Sequence, residues 1–210
     1  MIMTPGIRRF ALTTHVTFSV GWLGAVAGFL ALAVAGLITS DNEIARAAYF
    51  AIELVGWFVI VPFCLGSLLS GLVQSAGTEW GFFRHYWIIA KLFLTVAATI
   101  ILLVHMRLVS HVAHVALSTT FSISQLRGLR IQLVADACAA LCVLLVATAL
   151  SIYKPWGKTS HARGRTEFAP VGQMQSGSSR RVYFIVGLVC LGLIVVLLHI
   201  IGGGIPFHPR

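Results

Sequence analysis

Lys91 sits in "HYWIIAKLFLTVAATIILLVHM", residues 85–106, an almost wholly apolar stretch with a histidine near each end. A cation at bilayer depth costs about 2.5 to 3.5 kcal/mol on insertion scales. Such a lysine must reach a headgroup region, pair with another side chain, or serve a bound group. His15 lies in a second apolar stretch, "HVTFSVGWLG", seven residues before Trp22. Two turns of helix would put both rings on one face. A further group of donors gathers in "HMRLVSHVAH", which holds His105, Met106, His111 and His114, with the acids Glu53 and Asp136 in other apolar stretches. Imidazole and carboxylate suit Cu or Zn, and His111 and His114 would face together on a helix. The spacing matches no closed metal motif, so the same residues also suit a structural polar network in which Glu53 or Asp136 pairs with His105, Arg107 or His199.

The elements that must position these residues follow from composition. Hydrophobic residues make up 58% of the chain and charged residues 10%, far from the balance of a soluble domain. A membrane-crossing helix needs roughly 20 apolar residues, and five stretches qualify: 12–38, 46–74, 85–106, 131–153 and 182–201. The expected fold is therefore all-α, one polytopic bundle of five transmembrane helices over residues 1–210, with a basic loop at 154–181. The first apolar run is too long for a signal-peptide core and reads as a retained helix. No nucleotide-binding loop, catalytic serine constellation or zinc-protease motif occurs. Gly24 and Gly28, and Ser67 and Gly71, are small pairs that allow close helix approach, and Pro62 should kink the second helix. Cys64, Cys138, Cys142 and Cys190 fall in apolar segments and read as small packing residues.

Lysine and arginine are retained on the cytoplasmic side. Arg8, Arg9, Arg84 and the six basic residues of loop 154–181 fall on one side if five helices alternate, and Arg46, Arg107, Arg127, Arg130 and Arg210 on the other, a smaller and more scattered set. The expectation is a bacterial cytoplasmic membrane, with the N-terminus inside and the C-terminus outside. The net charge of +9 then calls for anionic lipid headgroups beside the basic loop rather than nucleic acid. Alternation also sorts the buried polar residues. His15 and Lys91 share the inner layer, while Glu53, His105, Asp136 and His199 share the outer one. No membrane-embedded carboxylate lies at the level of Lys91.

The helix "HVTFSVGWLG", with a small residue at Gly24 after Trp22, followed by "WIIAK", with Trp87 four residues before Lys91, resembles the membrane haem-b proteins of the HemJ protoporphyrinogen oxidase type. More loosely it is similar to the copper resistance protein D type. The whole chain also resembles a bacterial family of integral membrane proteins that carry a domain of unknown function. The HemJ resemblance implies haem b, with His15 as axial ligand and Lys91 as second ligand or propionate partner. Neutral imidazole ligates iron well, and a lysine meets a carboxylate. Trp22 and Trp87 would wall the pocket, and electron transfer or porphyrinogen oxidation would be the activity. Two other readings stand beside it: copper handling or transport by His105, His111 and His114, and a membrane scaffold that serves a protein partner.

Overall fold

The structure, a computed structural model, describes residues 3–77, 86–117 and 126–153. Five α-helices and one π-helical turn account for the regular structure among them: α1 (Pro5–Ile38), α2 (Asn42–Val55), the π turn (Gly56–Ile60), α3 (Val61–Gly77), α4 (Tyr86–Leu117) and α5 (Arg127–Tyr153). Because α2, the π turn and α3 run on as one rod, the helices form four spans, each long and apolar enough to cross a membrane. The expected fifth span, 182–201, lies outside the described residues, together with loop 154–181, His85, His199 and His208.

Local signals set the ends of these helices. Proline opens α1 at a position where a missing N–H costs nothing. Asp41 starts α2, its Oδ1 accepting from the backbone N–H of Glu43 at 2.8 Å and of Ile44 at 3.4 Å. Asp41→Ala is expected to lower stability by about 1 kcal/mol, the usual worth of an N-cap. A melting temperature in detergent equal to that of the parent protein would show that water replaces the cap fully.

Several spans run past their sequence-based limits. Most consequentially, α4 continues to Leu117 rather than stopping at Met106, so His105, His111 and His114 share one helix. The disturbance expected at Pro62 takes the form of the π turn just before it. There the N–H of Val61 bonds back to the carbonyl of Gly56, five residues earlier. A proline has no N–H to give and its ring crowds the preceding turn, and widening that turn relieves both problems. Gly56 itself receives Met106, whose Sδ would lie 2.9 Å from any Cβ placed there.

The four spans close into a ring. α1 packs on α2 and α3 and on α5, and α4 packs on α2 and α3 and on α5. Trp22, Phe29, Tyr49, Ile52, Cys64, Met106 and Leu133 fill its interior. The outer surface is equally apolar: Phe58 is 75% exposed, Phe93 61% and Ile100 58%. A water-soluble bundle would not carry so continuous an apolar coat, whereas hydrocarbon wets it at no cost. Cys138 and Cys142 belong to that coat, exposed on α5 rather than packed inside. Gly24 and Gly28 also differ from expectation, since a Cβ at either would meet nothing within 4 Å. Ser67 and Gly71 do serve close approach, with Ser67 buried and Gly71 against the His15 ring.

Candidate functional site

Where α1 begins, its residue His15 points into the ring between α3 and α4. His15 Nδ1 lies 3.1 Å from the backbone carbonyl of Ser67 and 3.0 Å from Ser70 Oγ. A carbonyl only accepts, so Nδ1 carries the proton and Nε2 is left with a lone pair. That lone pair meets Lys91 Nζ at 3.3 Å. Lys91 thus pairs across the bundle interior with the histidine instead of extending toward the bundle end. The sequence placed these two residues at one depth, and the fold brings them into contact.

Neighbouring polar groups hold the pair in place. Ser70 donates to the carbonyl of Gly66 at 2.6 Å, and Ser19 and Ser67 share a hydroxyl contact at 2.8 Å. Gln74 Nε2 donates to the carbonyl of Ala11, one turn before His15, at 2.8 Å. Gly71 leaves room for the imidazole, since a Cβ there would lie 3.2 Å from His15 Cε1. Below Lys91 the inner stripe of α4 continues with Thr95 and Thr99, and Thr99 meets Cys64 Sγ at 3.2 Å.

His15 and Lys91 line a cavity of about 440 Å³ at this end of the bundle. Its walls mix apolar residues such as Leu12, Leu68, Ile88 and Leu92 with Arg8, Gln74, Thr95 and Ser151. Among the described residues no carboxylate lines it. A volume in the range of ligand pockets, apolar walls and two cationic side chains suit an anionic guest with a large apolar body. Ser67, Ser70, Gln74 and Arg8 were not read from the sequence as site residues. Serines one turn apart in an apolar helix were the available signal.

The other sequence-derived candidates fall elsewhere. Trp22 is buried in the hydrophobic core and does not line the cavity. The side chain of Trp87 lies outside the described residues. His105 faces inward and its Nδ1 lies 3.0 Å from Asp136 Oδ2, while its Nε2 is buried without a hydrogen-bond partner among the described residues. His111 and His114 lie exposed farther along α4, and Glu53 is half-buried on α2. Among the described residues no three His, Cys, Asp or Glu side chains converge as metal ligands. The structure therefore does not gather the copper or zinc set that the sequence suggested.

Arg130 corrects another reading. Its charge was counted with the loop residues, yet it is only 3% exposed. Its Nε donates to Tyr49 Oη at 2.7 Å, and its Nη2 donates to the last carbonyls of α1, those of Gly36 and, at 2.9 Å, Leu37. The guanidinium thus fastens three spans together and meets the negative end of the α1 dipole. Gly36 admits Tyr49, whose Cζ would lie 2.9 Å from an added Cβ. Comparison with protein-family models, curated proteins and solved structures finds no match.

Proposed function

We propose that this chain is an integral membrane protein that binds haem b in the cavity between α1, α3 and α4 and serves a redox reaction, electron transfer or porphyrinogen oxidation. The observation that carries this reading is the arrangement of His15. A ligating histidine usually donates its second ring N–H to a carbonyl or carboxylate, which fixes the tautomer and directs the other nitrogen at the metal. His15 does this with Ser67, and its Nε2 meets Lys91 Nζ at 3.3 Å where both residues line the cavity. The donor set therefore fits a haem: an imidazole nitrogen, apolar walls, and the cations Arg8 and Lys91 for propionates. Bound there, the group would supply one-electron chemistry, tuned by its axial ligand and by its burial. The residues of the chain hold and orient it. Ser67 fixes the imidazole, Leu68, Ile88 and Leu92 exclude water, and Lys91 gives its donor to a propionate instead of to Nε2. Five spans, a cytoplasmic N-terminus and a bacterial cytoplasmic membrane complete the proposal, supported by the distribution of basic residues between the loops.

The direct test is the reduced-minus-oxidised absorption spectrum of protein purified in detergent after expression with ample haem. A haem-b spectrum is expected, and a colourless preparation would overturn the reading. Lys91→Met should retain the spectrum but weaken haem affinity about 10- to 150-fold, because a charge-assisted hydrogen bond is worth about 1.5 to 3 kcal/mol. Titration of the haem-free protein measures this. An unchanged Kd would remove Lys91 from the site.

A further inference from the structure

In its middle, from Gly24 to Ala31, the outward face of α1 exposes only small residues, Gly24, Ala27, Gly28 and Ala31. Its exposed line runs Thr13, Thr17, Val20, Gly24, Ala27, Ala31, continuing to Val34 and Ile38. The steps alternate between four and three residues, which is the seam spacing of two helices that pack along their length. α4 instead presents large groups outward, such as Phe93, Ile100 and Leu103, and α5 sets its exposed Cys138 and Cys142 between Ile131, Leu145 and Ile152. Nothing described covers the α1 line at its middle, where added Cβ atoms at Gly24 and Gly28 meet open space. Small residues facing lipid forgo contact, whereas against a helix they let two backbones approach closely.

We propose that the fifth apolar segment of this same chain, residues 182–201, packs as a helix along this face of α1. Three observations select that occupant. First, Ser151 near the end of α5 lines the cavity together with Met3 and Arg8, so the chain leaves the described bundle at the end where α1 begins, and beside it. Secondly, a span that starts from that end runs parallel to α1. Twenty residues of helix measure about 30 Å, against about 27 Å for the seam from Thr13 to Ala31. Thirdly, the connecting stretch 154–181 can extend to roughly 90 Å, so reach is no obstacle. A tethered helix competes at a local concentration of order millimolar, which a second copy of the protein must exceed to displace it.

Disulfide trapping in the full chain tests this. Cys64, Cys138 and Cys142 are first replaced by alanine, and Val20→Cys is then combined with the native Cys190 or, once Cys190 is replaced by alanine as well, with cysteine at 189, 191 or 192. Four successive positions sample every side of a helix. The control is Val96→Cys on the outer face of α4. Val20 and Val96 each lie five residues beyond the bonded pair His15 and Lys91, so they share one depth. Mild oxidation in membranes should join Val20→Cys to at least one partner position within one chain. After trypsin cuts the basic stretch 154–181, the two pieces should stay together until reduced. The yield should exceed the Val96→Cys control at least tenfold. Gly24→Leu with Gly28→Leu should lower it at least fivefold while the bundle stays folded, because those positions touch nothing in it. Equal yields at Val20→Cys and Val96→Cys, no product at any of the four positions, or products only between two chains would each overturn the proposal. None of these outcomes depends on whether haem is bound.

Discussion

Under the proposed haem site, His15→Ala should abolish the haem-b spectrum of the purified protein and lower its haem affinity by at least about a hundredfold. Loss of a group that merely orients a ligand already costs 10- to 100-fold, and here the ligand itself is removed. The substitution also strips Lys91 of the acceptor it reaches at 3.3 Å and leaves the Ser67 carbonyl without its imidazole donor. Some loss of stability is therefore expected with the loss of colour. Added imidazole separates the two effects, since the truncated side chain leaves a hole of that shape beside Gly71. Recovery of the spectrum at millimolar imidazole would show that the missing nitrogen is the cause. If His15→Ala keeps the parent spectrum and affinity, His15 is not the ligand. The Nδ1 contact with Ser67 would then be a structural cross-link between α1 and α3.

Arg130→Ala should give the largest loss of stability of any single substitution on the opposite side of the bundle, about 2 to 5 kcal/mol. The lower figure follows from three hydrogen bonds at about 0.6 kcal/mol each, the average measured for side chains in membrane bundles. The higher figure adds about 1 to 3 kcal/mol for buried acceptors left unsatisfied, here Tyr49 Oη and the carbonyls of Gly36 and Leu37. Arg130→Lys should recover only part of this, because one ammonium cannot reproduce the fork that reaches Tyr49 and α1 together. Thermal unfolding in detergent measures both variants. A melting temperature for Arg130→Ala within error of the parent would mean that water satisfies these groups, and the proposed fastening would be wrong. The haem spectrum of the folded fraction should not change. Arg130 and Ser151 are 21 residues apart on α5, about 31 Å along the axis, and it is Ser151 that lines the cavity.

The two predictions differ in how far the sequence foresaw them. His15 and Lys91 were legible as a pair at one depth, because parallel spans that start from one side carry equal residue counts to equal depth. Trp22 was legible as sharing a helix face with His15, but two further turns carry it about 10 Å along the axis, past the cavity and into the core. Arg130 was misread because basic residues at span ends usually lie in water or headgroups, and local sequence does not reveal the carbonyls of Gly36 and Leu37 waiting on another helix. Similarly, Gly24 and Gly28 were recognisable as a close-approach pair, but not as a pair that the four described spans leave uncovered.

By itself the sequence determined which segments are apolar enough to cross a membrane and how deep each polar side chain lies along its helix. Both depend on run length and on a rise of about 1.5 Å per residue, which are local properties of the chain. The tertiary structure decided rotation: that His15 meets Lys91, that His105 meets Asp136, and that Arg130 turns inward to Tyr49. In water, an amphipathic helix announces its buried face through one-sided hydrophobicity. α1, α4 and α5 are apolar on nearly every side, so lipid and bundle interior solvate their faces almost equally. Which face turns inward is then set by the fit of small against large residues and by a few polar contacts between segments far apart in the chain.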